Sequence, residues 1–358
     1  MSDYEVLTSK DTPKWTDYLS LLPIEQQDVY FTPEYYKLYE VNGDGSARCF
    51  VFRKDGDIAL YPFLINRIND LGYDLDDEYY DIQGAYGYNG VVSSTNDTNF
   101  VDSFYEAFSN YVNKQHIVCE FVRFHPLLQN VGFSCKHLEA VYDRKTVCLD
   151  LNIGYNHVWE ALYSSNNRNM LRKASKSDLE CVVTTLTDSI LVFQEIYTKT
   201  MERVAASEDY FFSQKYFQGF ASRLEDNSYM VLCFSEQGVE AASLFMIYGM
   251  YAHYHLSGRY SSCKHNFVTN MMLDKAVKFA LESGCMTMHL GGGRSAASDD
   301  SLFKFKQNFS SETRDFYIGK KVHDKQLFDH VVSQWRVKHP LSATKYGHML
   351  QGYRKLDG

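Results

Sequence analysis

Lys306 stands among Phe303, Phe305 and Phe309, an arrangement that puts its ammonium against apolar surface and away from competing water. A lysine so placed can stabilise negative charge developing on an acyl oxygen, or on a leaving phosphate or ribose oxygen. The same residues also suit a lysine whose stem covers a core edge while its amine reaches water. Upstream, His289-Leu290-Gly291-Gly292-Gly293-Arg294 reads as a strand entering a glycine corner, and the polar stretch Ser295 to Asp300 links that corner to the lysine. Strand, corner, loop and lysine in this order describe a built site.

Three further constellations carry possible chemistry. In Tyr251-Ala252-His253-Tyr254-His255-Leu256-Ser257, strand alternation places Tyr251, His253, His255 and Ser257 on one face and Ala252, Tyr254 and Leu256 on the other. Two histidines on one face offer metal ligands, but no third ligand stands at a usual spacing, so they read as cleft-facing and no metal is assigned. The loop Ser257 to Asn266 leaves a strand and enters a helix, where backbone N–H groups could face a pyrophosphate; with Gly258 its sole glycine, it reads equally well as a plain connection. Arg168, Arg172 and Lys176 recur every four residues and form a basic helical stripe, either a phosphate site or a solvated face. Gly291-x-Gly293-x-x-Ala296 fits a dinucleotide fingerprint, yet no further strand–helix unit follows it.

The elements that must position these residues occur twice. Residues 49–65 read as a hairpin, followed by the glycine-rich stretch Gln83 to Gly90, a helix over 98–114 and a strand from Ile117 to Phe124. The order returns after residue 225: a hairpin over 230–245, a strand through Tyr254, the loop Ser257 to Asn266, a helix over 267–282 and a strand from Cys285 to Leu290. Such a repeat indicates internal duplication. Helices are expected over 156–176 and 188–205, and a strand over 316–322. The expected divisions are an N-terminal domain over 1–147, a C-terminal domain over 148–322 and a helical segment over 323–358.

Composition limits what the site can serve. A chain of 358 residues with 45% hydrophobic and 23% charged residues fits two ordinary globular domains. A net charge of -9 gives no general attraction to DNA or anionic lipid. The eight cysteines form no C-x-x-C pair and read as reduced, buried thiols. The start of the chain lacks signal-peptide character and no apolar run reaches roughly 18 residues, so a cytoplasmic protein without a transmembrane segment is expected.

Taken in order, Ala241-Ala242-Ser243-Leu244-Phe245, Tyr254-His255-Leu256-Ser257-Gly258, Leu290-Gly291-Gly292-Gly293 and Leu302-Phe303-Lys304-Phe305-Lys306-x-x-Phe309 resemble the Fem family (FemA, FemB and FemX) and its GNAT-like acetyltransferase relatives. Arg168-x-x-x-Arg172-Lys173-Ala174 and Tyr86-Gly87-Tyr88-x-Gly90 fit the same resemblance, which spans roughly residues 30–322. It implies a mixed α/β fold of two tandem GNAT-like domains with a cleft between them. The implied activity is transfer of an acyl or aminoacyl group from acyl-CoA or aminoacyl-tRNA, as co-substrate rather than resident cofactor, to an amine of a cell-envelope precursor or amino sugar.

By the same resemblance, Lys306 is the catalytic residue beside Phe305; for the transfer itself, Tyr254 or His255 is expected to relay the proton. Phe305, Ser257, Gly258, Arg259 and Asn266 are expected at the donor, and Tyr86, Tyr88, Asn89, Arg168 and Arg172 at the acceptor. Two departures leave the donor open: no heptad-patterned helical arm occurs in 151–225, and the 257–266 loop lacks the glycines of the usual coenzyme A loop. A noncatalytic GNAT scaffold that binds a sugar-nucleotide or peptide is the competing expectation.

Overall fold

The computed structural model describes residues 4–297 and 299–357, which fold as two mixed α/β units. The first takes in the chain up to Gln26, Tyr30–Asp143 and the segment from Phe316; the second takes Gln27–Val29 and Arg144–Asp315. Among the described residues no helix is long and apolar enough to cross a membrane.

In the first unit, strands β1 (Tyr4–Thr8), β2 (Ser46–Lys54), β3 (Asp57–Arg67) and β4 (Tyr80–Gln83) form an antiparallel run, and β5 (Val92–Ser93) also pairs with β3. Asp55 and Gly56 close the β2–β3 hairpin with φ of 53° and 94°, the positive values a two-residue turn of this kind requires. Helix Thr98–Lys114, capped by the Asp97 carboxylate on the Phe100 N–H, buries Phe100, Phe104, Phe108 and Tyr111 along one face. It leads into β6 (Ile117–Arg123), parallel to β4, and Ile318–Val322 pairs antiparallel with the other edge of β6.

The last residues are part of this unit. Val331, Trp335 and Tyr353 pack on Ile68, Tyr73, Val118 and Cys119. The Arg354 guanidinium and the Tyr353 hydroxyl both donate to the fully buried Asp81 carboxylate, at 2.7 and 2.5 Å. A partner for that carboxylate is obligatory, because an unpaired buried charge would cost several kcal/mol or more.

In the second unit, β7 (Glu139–Asp150) contributes Val147–Asp150 to one edge. Strands β8 (Glu180–Thr184), β9 (Ser228–Ser235), β10 (Gly238–Tyr248) and β11 (Tyr251–Arg259) run antiparallel. Helix Val268–Glu282 then crosses to β12 (Thr287–Gly291), which is parallel to β11 and antiparallel to Val147–Asp150. The expected repeat is present: an antiparallel run, a crossover helix, a parallel strand and an antiparallel outer strand occur in both units. The outer strand comes from elsewhere in the chain each time, Ile318–Val322 within β13 (Thr313–Val322) for the first unit and β7 for the second. Among the described residues the glycine corner is followed by one short helix and by a strand, Thr313–Val322, that pairs antiparallel, so no parallel strand–helix series continues from it and a doubly wound dinucleotide fold is excluded.

Two local expectations are corrected. Cys181 and Cys233 face each other across β8 and β9 and are joined as a disulfide, with Cα atoms 4.2 Å apart. Their separation of 52 residues hid a pairing that only strand register creates. The single helix expected over 156–176 is instead a short helix, Gly154–His157, a π-helical turn, Val158–Leu162, and a second helix, Ser165–Ala174. Ser164 restarts the chain as N-cap, accepting from the Asn167 N–H, so Lys176 falls beyond the helix and the basic stripe ends at Arg172.

Candidate active site

Pairing between β11 and β12 covers only Tyr251–His253 against Thr287–His289. From Tyr254 on one strand and Gly291 on the other, the parallel ladder is absent, and the sheet opens there. The first unit treats its equivalent position differently. After Gln83 pairs with Phe121, the loop Gly84 to Gly90 returns so that Asn89 bridges to Phe124. The Asn89 side-chain oxygen accepts from the Arg123 N–H at 2.8 Å, and its backbone N–H donates to the Arg123 carbonyl at 2.7 Å. A Cβ on Gly84 would lie 2.3 Å from the Asn89 side chain, so this loop needs its glycine. One unit closes the gap with its own chain and the other leaves it open.

Lys306 lies at the open position. Helix Ser301–Gln307 is set by Asp300, whose carboxylate accepts from the N–H groups of Phe303, Arg294 and Ser295 at 2.9, 3.0 and 3.1 Å. Those bonds lower the Asp300 pKa despite the opposing effect of desolvation. Gly293 fits beneath because a Cβ there would meet Asp300 Oδ1 at 2.4 Å. Thus the polar stretch is a clamp holding the lysine helix to the glycine corner. Lys306, 7% exposed, donates from Nζ to the Gly292 carbonyl at 2.7 Å and sits 5.7 Å from the centre of the Tyr254 ring. Desolvation pulls its pKa from 10.5 down to about 7, with Asp300 acting weakly the other way. An amine in that range can carry or release a proton at neutral pH. Phe305 packs beside it against Phe309, ring centres 5.7 Å apart.

A β-bulge in β11 changes which residues share a face. Phe245 is opposite Tyr254, whereas Leu244 is opposite Leu256, so His255 is the extra residue. Residues directly opposite in a sheet share a face, so Tyr254 joins Ser257 through their partners Phe245 and Ser243. The alternation expected from sequence put Ser257 with the histidines; the bulge moves it. Ser257 Oγ lies 2.7 Å from Ser243 Oγ, and desolvation raises the pKa of the Tyr254 phenol, with these two hydroxyls acting the other way. His255 turns instead to helix Gln214–Arg223, with Nε2 2.8 Å from the Tyr216 hydroxyl and its ring 5.3 Å from Phe220. Burial, helped by His253, holds it neutral with a pKa of about 3. Tyr254 and Lys306 are therefore brought together, and His255 is on the other side of the sheet.

The remaining donor residues divide. Gly258 packs under helix Ile190–Arg203, where a Cβ would lie 2.9 Å from the Ile196 carbonyl. The Arg259 backbone is tied to the same helix through Thr200 Oγ1, at 3.0 Å in both directions. Asn266 is exposed, two residues before a helix start that no side chain caps.

On the acceptor side, Arg168 turns back and donates to the carbonyls of Trp159, Glu160 and Tyr163. Arg172 lies over the Trp159 ring at 5.8 Å. In the first unit, the Tyr86 carbonyl accepts from the Tyr35 hydroxyl, and Tyr88 packs edge-on to Tyr30, His125 and Phe316.

Sequence reading missed Asp28, whose carboxylate lies 2.7 Å from His253 Nε2 with both side chains buried. At a separation of 225 residues no spacing pattern could have found it. His289, in register with His253, places its ring 5.8 Å away. Asp300 carried a readable signal, an Asp three residues before Phe303 at the start of a short aromatic helix.

No family model matches the chain, and no curated protein matches it in sequence. Solved structures do match. FemX superposes with a TM-score of 0.68 at 12% identity, over 91% of this chain and 98% of that one. The C-terminal domain of a putative lysylphosphatidylglycerol synthetase from Agrobacterium fabrum gives 0.54 at 12% identity, over 90% and 96%. L-PGS from Bacillus licheniformis gives 0.53 at 14% identity, over 81% and 87%. These identities speak to architecture, and the chain has the fold of FemX.

Proposed function

We propose that the protein is an N-acyltransferase that moves an acyl or aminoacyl group from an activated ester or thioester to an amine, with Lys306 as the group that handles charge and proton. The observation that carries this reading is the buried Lys306 amine, held by the Gly292 carbonyl above Tyr254 where β11 and β12 part. The acceptor nitrogen attacks the donor carbonyl, forming a C–N bond; the C–S or C–O bond to the carrier breaks, and one proton passes from the amine to the departing thiolate or ribose oxygen. A group near neutral pKa suits that proton transfer, and its protonated form stabilises the oxyanion. The fold shared with FemX and with lysylphosphatidylglycerol synthetase domains supports acyl or aminoacyl transfer in general, and the cell-envelope amine as acceptor is part of the proposal. In this reading Tyr254 is the second catalytic group, and Phe305 and Ser257 contact the donor.

The test is single-turnover transfer to a panel of amines, with acetyl-coenzyme A and aminoacyl-tRNA supplied separately. Product dependent on Lys306 supports the assignment. Ligand binding without transfer from either donor would replace it with a noncatalytic scaffold.

A further inference from the structure

A second built site lies in the same unit, away from the Lys306 amine. A cleft of about 550 Å³ is lined by Tyr155, Trp159, Arg172, Met271, Lys275 and Lys278. That volume is in the range of small-molecule sites. Two aromatic faces carry cations: Arg172 lies 5.8 Å over Trp159 and Lys278 4.6 Å over Tyr155. Two carboxylates also face the cleft, Glu160 and Asp274. Asp274 is committed to the fold, accepting from Tyr155 at 2.8 Å, Tyr163 at 3.1 Å and Lys278 at 2.8 Å. Trp159 is presented by the π-helical turn Val158–Leu162, a rare geometry enriched at functional sites. The carbonyls of Trp159 and Glu160 within the turn, and of Tyr163 just after it, accept from Arg168, which gives that arginine the task of fixing the turn.

We propose that this cleft binds a nucleotide, with a purine ring stacked on Trp159 and its phosphate oxygens on Arg172, Lys275 and Lys278. Stacking of a base on an aromatic face beside arginine is the physical mode that serves every base, and lysine and arginine heads supply the phosphate contacts. A plain anion would not need the aromatic walls, and an apolar ligand would not need three cations. The wall behind the cleft is packed against the end of the helix that carries Lys306. Tyr163, which holds Asp274, packs edge-on against Phe309 at 5.3 Å, and Ser164 hydrogen-bonds Asn308 through its N–H at 2.9 Å and its hydroxyl at 2.8 Å. The nucleotide is then the handle of the donor carrier. That last step rests on the transferase reading, whereas binding in the cleft does not.

Tryptophan fluorescence titrated with adenosine 3′,5′-bisphosphate reports on the cleft, because Trp15 and Trp335 are 0% and 2% exposed and Trp159 is not buried. Saturable quenching that Lys275→Glu weakens at least tenfold, with an unchanged melting profile, is the expected result. Trp159→Phe should lose the signal but keep binding by calorimetry. Coenzyme A binding more tightly than the trinucleotide CCA would identify a thioester carrier, and the reverse an aminoacyl-tRNA; both support a nucleotide site. Absence of quenching overturns the proposal, as does inorganic phosphate binding as tightly as the nucleotide. Nucleotide binding without acyl transfer would leave this site intact and remove the transferase reading instead.

Discussion

The Lys306 amine and the Gly292 carbonyl are 2.7 Å apart, and this bond is what the clamp around Asp300 preserves. It holds the amine at the mouth of the β11–β12 opening, away from bulk water, which is why its proton is only loosely kept. Lys306→Ala should lower turnover by at least about tenfold, roughly 1.4 kcal/mol of barrier, while circular dichroism shows the fold retained. An undiminished rate with the true substrates would remove Lys306 from the mechanism.

The same lysine predicts a pH dependence of stability. Its pKa is about 7 when folded and 10.5 ordinarily, so between those values the unfolded chain binds more protons than the folded one. Stability from this group therefore rises with pH across the window from about 7 to 10.5, and is unaffected by pH below it. Lys306→Met, close in shape and uncharged, should be more stable than the parent at pH 6, with the gap shrinking by pH 9.5. Urea unfolding at both values measures it; a gap that does not shrink would show the lysine to be solvated.

Much of the fold is legible in the sequence. The duplicated order of hairpin, helix and strand was visible because strand alternation and helical periodicity are local. The aromatic neighbours of Lys306 suit a core-edge lysine as well as a reactive one, and it is the resemblance that singles Lys306 out. What stayed hidden was set by register and by distance in sequence. The bulge at His255 reverses the face of Ser257, and alternation cannot announce an extra residue. Cys181 meets Cys233 only after strands have paired, and Asp28 reaches His253 across 225 residues from a connection outside the sheet. The helical segment after residue 322 is expected to pack on the rest, but its anchor is not legible, because Asp81 lies more than 270 residues from Arg354 and Tyr353.

Gly258 separates a packing role from a ligand role. A methyl group there would press on the Ile196 carbonyl at 2.9 Å, so Gly258→Ala should cost about 1–3 kcal/mol by denaturant unfolding. Once folded, the variant should keep its KM for the donor within about twofold, since the glycine's missing side chain makes room for a helix. A large KM increase without loss of stability would put Gly258 against the donor.

Asp300 is a positioning residue. Asp300→Ala removes a helix cap, which costs about 0.5–2 kcal/mol, and frees the corner at Arg294 and Ser295. The expected kinetic result is a lower kcat with little change in KM, and partial recovery in Asp300→Asn, which keeps a capping oxygen. Equal loss in both variants would mean that the charge, acting on Lys306, matters more than the hydrogen bonds.

Tyr254 and His255 are neighbours in sequence on opposite faces of the sheet, which makes them a matched pair of tests. Tyr254→Phe deletes only the hydroxyl, on the sheet face that Ser243 and Ser257 share, and keeps the ring beneath Lys306. If that phenol helps to pass the proton, kcat falls about tenfold and the unfolding midpoint barely moves. His255→Phe should behave in the opposite way, because its Nε2 partner is Tyr216 and its ring packs on Phe220. Loss of that bond removes a buried hydrogen bond of the Tyr216 hydroxyl and costs about 1–3 kcal/mol of stability, with kcat within about threefold. The pH–rate profile supplies an independent check. His255 has a pKa of about 3 and stays neutral above pH 5, so the profile should show the Lys306 ionisation near 7 and no histidine limb that His255→Phe abolishes. A limb that vanishes in that variant would return His255 to the reaction and place a proton path through the sheet.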